Sequence, residues 1–214
     1  DYYDFFPQDD GSLYIVVGDA TGHGLNAGMM VSITKAGLFG SDFGSPEITT
    51  SRLNQTIKAI DLGTTRMSLN MAKFNKNSFD FTSAGMPPAY LYHGDTGLVD
   101  EILIPGLPLG SMKKATFDLE NFSMHSSDAL VLISDGLPEC SNHDGEMLDY
   151  EPVLKCIEKN GSKSAEGIKN ALVDLGDNWM SGLMNDDDIT LVVIKKKNWK
   201  FKMERIMTRK IFLI

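Results

Sequence analysis

Apolar and polar positions change their period several times along the chain, and each change marks an element. Residues 12–18 (SLYIVVG) form a short apolar, β-rich run, with Asp10-Gly11 before it as a turn signal. Residues 25–40 (LNAGMMVSITKAGLFG) predict a helix that begins just after a glycine-rich turn. Residues 46–60 predict a second helix, with Ser45 as its N-cap and Pro46 at its first position. Met67, Leu69 and Met71 then alternate with Ser68, Asn70 and Ala72, the period of two of a half-buried strand. Residues 75–77 turn that run back into 79–83, which makes a hairpin. Runs 89–93 and 98–104 flank the turn His93-Gly94-Asp95, and 115–124 is a further strand. Residues 129–134 (ALVLIS) are apolar almost throughout, as a central strand requires. Residues 150–159 and 164–181 read as helices, and 189–195 (ITLVVIK) as the last strand. Helices and strands in segregated runs predict an α+β fold rather than alternating βαβ units.

Composition narrows this picture. The 214 residues are 42% apolar and 23% charged, which is ordinary for a folded chain and excludes whole-chain disorder, collagen and coiled coil. The longest clean apolar run is 129–133, far short of the roughly 20 residues a membrane helix needs. No signal peptide opens the chain, and it begins at Asp1 without a Met, so it reads as a fragment of a longer protein. The net charge of −9 is uneven. Residues 195–214 carry eight Lys/Arg against Glu204, and the rest carries 12 basic and 28 acidic side chains. An acidic body argues against nucleic acid as a partner and suits cation binding where carboxylates converge. Cys140 and Cys156 lack metal-type spacing and read as free thiols in a reducing compartment.

The candidate chemistry lies at the ends of the apolar runs. The first runs into Gly18-Asp19-Ala20-Thr21-Gly22-His23-Gly24, the central one into Asp135-Gly136, and the last follows Asp186-Asp187-Asp188. Carboxylates brought together at such tips raise one another's pKa unless a cation compensates. Oxygen donors without paired Cys or His select hard cations such as Mg²⁺ or Mn²⁺. Each signal also has a plain reading: Asp-Gly as a turn, the triple Asp as a solvated loop, and 18–24 as an anion-binding turn at a helix start. The last of these lacks the glycine pattern of a dinucleotide site and the Lys of a P-loop.

Taken in order, the segments are Asp1-Tyr2-Tyr3-Asp4-Phe5, VVGDATGHG, FTSAGMPPAYLY (81–92), GLPLG (106–110), DALVLISDGLPE (128–139) and DDDITLVVIK (186–195). This series closely resembles the SpoIIE-type branch of the PPM family, the metal-dependent Ser/Thr protein phosphatases related to protein phosphatase 2C. The resemblance covers residues 1–195 and leaves 196–214 as a basic C-terminal extension. It implies two antiparallel sheets flanked by helices, in α-β-β-α layers, with a centre of two Mn²⁺ or Mg²⁺ ions. By position, the resemblance assigns the ions to Asp1, Asp19, the backbone carbonyl of Ala20, Asp135 and Asp187. Asp4, Asp188, His23 and Gly136 fall around them as supporting residues. The family's opening acid usually follows two glycines, which this chain does not contain ahead of Asp1. The implied reaction is hydrolysis of phosphoserine or phosphothreonine by a water shared between the two ions, with Asp19 and Asp135 acting through it. No Cys or Ser nucleophile is needed, and nothing like a phosphate-binding Cys loop surrounds Cys140.

The resemblance further implies a bacterial signalling output domain. Its substrate would be a phosphorylated protein such as an anti-sigma-factor antagonist, and an upstream sensor or regulatory domain would lie in the full chain. A second copy in a dimer is another expected partner, nucleic acid is not, and the expected location is cytoplasmic, either free or on a membrane-anchored sensor. His23 lies near the metal turn as a candidate proton donor to the leaving group, but it does not fall where the wider family keeps its proton-donating His, a place taken by Thr21, so a structural or positioning role is expected for it. His93, His125 and His143 sit in polar turns and read as solvated; Arg66 reads as a surface charge, with a phosphate contact as the alternative. The Met-rich positions read as soft core filling. The helices at 25–40 and 46–60 would act as a switch in this branch, and Gly37 and Gly40 either loosen the first one or mark its frayed end. The rival readings are a catalytically inactive phosphatase fold serving as a scaffold, and a metal-dependent nuclease, which the acidic body disfavours.

Overall fold

The computed structural model describes residues 1–185 and 187–196. In chain order the elements are β1 (Tyr2–Pro7), β2 (Leu13–Ala20), α1 (Leu25–Phe39), α2 (Pro46–Ile60), β3 (Met67–Phe74), β4 (Ser78–Ala84), β5 (Ala89–Tyr92), β6 (Val99–Ile102), β7 (Glu120–Ser123), β8 (Ala129–Ile133), α3 (Tyr150–Asn160), α4 (Ala165–Met180) and β9 (Leu191–Lys195). They form two antiparallel sheets with two helices associated with each, as an α+β fold requires. The chain divides into two compact units. One comprises Asp1–Met86 and Leu103–Ser123; the other comprises Pro87–Ile102 and the chain from Met124 onward. No helix among the described residues is long and apolar enough to cross a membrane.

The first unit holds the five-stranded sheet β1-β2-β3-β4-β7. Its core follows from the alternation in β2 and β3. Tyr14, Val16 and Ala20 share a face with Met71, Leu69 and Met67, and Met30 and Leu38 of α1 and Leu53 and Ile57 of α2 belong to the same apolar cluster. Full burial of each such side chain stabilises by roughly 1.5–3 kcal/mol. Met30, Met67 and Met71 are therefore core filling, as their pattern suggests, whereas Met29 is exposed. The two helix glycines are also explained locally. A Cβ on Gly37 would come within 2.8 Å of Leu53 Cδ1, so this glycine lets the two helices approach closely. Gly40 is the C-cap of α1.

Three details depart from the sequence expectations. β1 was not expected as a strand, because Asp1, Asp4 and the paired aromatics blur its period; it is the first arm of a hairpin whose turn is Asp10-Gly11. There Gly11 adopts a left-handed φ of 82°, and Asp10 Oδ1 accepts from Ser12 N–H at 2.8 Å. The strand expected at 115–124 shrinks to β7, because Phe117 is drawn into the core and the Asp118 carbonyl accepts from Thr82 Oγ1 at 2.7 Å. Ser45 does precede α2 as its N-cap residue, but its hydroxyl donates to Glu47 Oε1 at 2.6 Å rather than capping a backbone N–H.

The second unit holds the sheet β6-β5-β8-β9. All five residues of β8 are buried, which fits its continuous apolar run. Val131 and Ile133 belong to one apolar cluster with Val153 and Ile157 of α3 and Ile168 and Leu172 of α4. Asp149 caps α3 by accepting from Tyr150 N–H, and Ser164 caps α4 by accepting from Gly167 N–H. β8 and β9 pair antiparallel from Ala129↔Lys195 to Ile133↔Leu191. The C-terminal end of β8 therefore lies beside the N-terminal end of β9. Residues 197–214, most of the expected basic extension, lie outside the described residues.

Candidate metal centre

In the first unit, Asp19 sits one residue before the end of β2. Tyr2 pairs with Gly18, which places Asp1 beside Asp19; the Asp1 amino group is 3.9 Å from Asp19 Oδ1. Ala20 buries its methyl in the core, and its backbone has a distinct position. Its cross-strand partner Met67 spends both backbone groups on Leu109, with N–O distances of 3.2 and 2.7 Å. In an antiparallel ladder successive residues bond to alternate neighbours, so the Ala20 carbonyl points away from β3. That is the group the resemblance assigns to a cation. The next residue, Thr21, closes the ladder: its N–H donates to the Arg66 carbonyl at 3.0 Å, and its Oγ1 accepts from Arg66 N–H at 2.9 Å.

Gly22 and Gly24 then take left-handed φ values of 80° and 77°, a conformation that glycine adopts without steric cost. They turn the chain into α1 and leave His23 exposed between them. Asp4 faces α1 instead: its Oδ2 lies 3.0 Å from Lys35 Nζ and accepts from Tyr2 Oη at 3.2 Å. Burial, and then Asp4, push the Tyr2 phenol well above its ordinary pKa. Arg66 is a loop clamp in this structure, its Nη1 donating to the carbonyls of Gly63 at 2.6 Å and Thr65 at 2.9 Å.

In the second unit, the antiparallel pairing of β8 and β9 brings the acids at their adjoining ends together. Asp135 follows β8, and Asp187 and Asp188 precede β9. The two chain segments are locked by Ser134. Its N–H donates to the Thr190 carbonyl at 3.0 Å, and its Oγ accepts from Thr190 N–H at 2.9 Å and lies 3.4 Å from the Asp188 carbonyl. The contact is so close that a Cβ on Gly136 would overlap the Asp188 carbonyl oxygen. Here the Asp-Gly dipeptide is required by packing. Asp187 is exposed, and its Oδ1 accepts from Asp188 N–H at 2.8 Å.

Asp135 is the electrostatic focus of this unit. Its Oδ1 is buried and has no hydrogen-bond partner. Burial, and then the Asp187 carboxylate, push its pKa above the usual carboxylate range. Glu139, one turn further on, is raised too, by burial and then by Asp135 and Asp187; its N–H donates to the Asp135 carbonyl at 2.9 Å. A buried carboxylate oxygen left without a donor beside a second acid is the environment that a hard cation compensates. The donor set therefore fits a divalent ion.

Two residues with a bearing on this site were missed in the sequence. Glu139 stands at the end of the DALVLISDGLPE run, where the sequence gives it no signal of its own. Asn185 is a lone Asn before an acidic run and carries no signal until its partners are known. Among the described residues, another grouping of potential ligands is His93, Asp95 and Asp128, whose donor atoms lie within 4.8 Å of one another. It sits at the opposite end of β8 from Asp135. The arrangement is explained by turn capping. Asp128 accepts from the N–H of Gly94 at 2.8 Å and of His125 at 2.6 Å, and His93 Nε2 meets Asp100 Oδ2 at 2.8 Å. His93 is thus paired rather than solvated, whereas His125 and His143 are exposed. Both cysteines are free thiols, and burial raises the pKa of the Cys140 thiol.

Several known proteins resemble this chain. The phosphoserine phosphatase RsbU of Bacillus subtilis is 29% identical over 207 residues, covering 92% of this chain and 59% of that protein. The chain thus spans about three fifths of the length of this curated relative. Among solved structures, the protein phosphatase 2C domain of SiaA from Pseudomonas aeruginosa aligns with a TM-score of 0.80 at 16% identity, over 92% of this chain and 80% of that one. RsbX, solved in complex with magnesium, aligns with a TM-score of 0.66 at 20% identity, over 89% of this chain and 85% of that one. These likenesses establish the fold. The model of the stage II sporulation protein E family matches residues 9–197, and the chain belongs to that family.

Proposed function

We propose that this chain is a metal-dependent phosphoprotein phosphatase module that hydrolyses phosphoserine or phosphothreonine. The observation that carries the proposal is Asp135: a buried carboxylate oxygen without a partner, next to Asp187, in a family whose relative RsbU is a phosphoserine phosphatase. The residues that would hold two Mn²⁺ or Mg²⁺ ions are Asp1, Asp19, the Ala20 carbonyl, Asp135 and Asp187. RsbX, a structural neighbour, is known with magnesium. When bound, such ions supply a water of lowered pKa and offset charge on phosphoryl oxygens. The chain's own part is to hold its acids in fixed positions. Ser134 and the glycine at 136 keep the Asp135 loop against the Asp187 loop, and the Thr21–Arg66 bonds fix the turn that follows Asp19. Tyr2 and Lys35 hold Asp4 on the α1 side, so Asp4 acts on the packing of β1. Cys140 is buried with a raised pKa and plays no chemical part.

The proposed substrate is a small phosphorylated regulator of the anti-sigma-factor antagonist class, in line with the RsbU relative, and the setting is a cytoplasmic output domain within a longer signalling chain. The test is phosphate release from a phosphoserine peptide with and without Mn²⁺, on the wild type beside Asp19→Asn. Release that needs both Mn²⁺ and Asp19 supports the phosphatase. Absence of both release and Mn²⁺ binding would sink it and favour an inactive scaffold.

A further inference from the structure

Asn185 connects the two acidic segments of the second unit. Its side-chain Nδ2 donates to the Gly136 carbonyl at 3.0 Å and to the Asp187 carbonyl at 2.7 Å. Gly136 adjoins Asp135, so one amide group spans the backbones beside both acids. Both partners are acceptors, and only the NH₂ end of the amide can serve them; the side-chain oxygen has no place there. Asn185 is itself half-buried. The alternative fastening, Ser134 to Thr190 and Asp188, acts further into the sheet. It fixes the strands, and packing of Gly136 on the Asp188 carbonyl keeps the loops in contact, but the hydrogen bonds to the carbonyls of 136 and 187 come from Asn185. Without that tie, repulsion between the two carboxylates acts on loops held by Ser134 and by packing alone, and the spacing of the acids in the metal-free protein is less closely set.

We infer that Asn185 is a positioning residue for the metal centre: its amide clamps the backbones beside Asp135 and Asp187 and so sets the spacing of their carboxylates before an ion binds. The inference rests on the phosphatase reading, because it assumes that these two acids are ligands. Groups that orient metal ligands typically contribute about 10–100-fold in affinity. Their removal weakens binding without dismantling the fold.

The test is Mn²⁺ binding to the metal-free chain by calorimetry, on wild type, Asn185→Ala, Asn185→Gln and Asp135→Asn, with the thermal midpoint of each measured in EDTA. The expected result is a loss of about tenfold or more in Mn²⁺ affinity for Asn185→Ala. Its metal-free midpoint should stay within a few degrees of wild type, and Asn185→Gln, which restores an amide donor, should recover part of the affinity. Phosphate release by Asn185→Ala should then need more Mn²⁺ for half-maximal rate, with kcat at saturating Mn²⁺ close to wild type. Unchanged affinity in Asn185→Ala overturns the inference. Equal losses in Asn185→Ala and Asn185→Gln also overturn it, since loop packing rather than amide donation would then be responsible. Absence of Mn²⁺ binding by the wild type, or undiminished binding by Asp135→Asn, overturns the underlying assignment of the metal centre instead.

Discussion

At Asp135 burial and charge work against the metal-free protein. Its Oδ1 lacks a donor, and Asp187 lies close enough to raise its pKa. Replacing the charge by an isosteric amide relieves both the desolvation of the anion and the repulsion. Asp135→Asn should therefore raise the melting temperature of the protein in EDTA while abolishing phosphate release in Mn²⁺. A lowered midpoint would mean that the carboxylate is compensated by the protein itself. Cys140 gives the opposite kind of result. It is 1% exposed and its thiol pKa is raised by burial, so it is protonated and shielded at neutral pH. Cys140→Ala should leave phosphate release within about twofold and lower stability by about 1 kcal/mol, a typical loss for a core substitution. A large fall in activity at unchanged stability would restore the thiol as a candidate. At this scale residue type and motif together mark the strand ends where Asp19 and Asp135 lie. The sequence was silent at Asn185, whose two hydrogen bonds go to backbone carbonyls that no side-chain pattern records.

Elements were legible where one period dominates. β8 and both helices of the second unit follow directly from a continuous apolar run and helical spacing; alternation finds β3 but not its burial, since Asn70 and Ala72 are buried as well as Met67, Leu69 and Met71. β1 was not legible, since its acids and aromatics follow no clean period and its pairing is decided by the turn at Asp10-Gly11. The shortening at 115–124 has a similar cause, because the core claims Phe117 before the strand can form. The pairing of β8 with β9 was not readable from either strand alone, yet it is what sets Asp135 beside Asp187. Gly136 tests that pairing. Its missing Cβ leaves room for the Asp188 carbonyl, which is backbone and cannot rotate away. Gly136→Ala should therefore force the two loops apart, lower stability by about 1–3 kcal/mol as overpacking does, and weaken Mn²⁺ binding by tenfold or more. Gly37→Ala should behave differently. Helix propensity favours Ala by about 1 kcal/mol, but the new methyl meets only the flexible Leu53 Cδ1 at 2.8 Å. The two effects oppose each other, and the measured change in unfolding free energy should be small, with phosphate release retained. A loss of activity without loss of stability in Gly37→Ala would point to a moving α1.

Charge gives the whole molecule its most general property. The chain carries 29 acidic against 20 basic side chains, and the residues before the basic tail hold 28 of the acidic and only 12 of the basic ones, an excess that the tail partly offsets. Self-repulsion of this kind opposes the compact state, and bound divalent cations relieve it at the acids they contact. Binding to the folded state alone stabilises it by RT ln(1 + [L]/Kd), about 2.7 kcal/mol at a hundredfold excess over Kd. For a chain of this length each kcal/mol moves the melting temperature by roughly 2–4 °C. Saturating Mn²⁺ should thus raise the midpoint by several degrees, and EDTA should reverse the rise. General screening is separable from specific binding by two controls. Monovalent salt at equal ionic strength should reproduce only the screening part, which is weak for charges more than about 10 Å apart at 0.1 M. Asp19→Asn and Asp135→Asn should each remove the Mn²⁺-specific rise while leaving the response to monovalent salt intact. If both variants kept the full rise, the ions would be bound elsewhere on the acidic surface, and the assignment of the metal centre to these residues would fail.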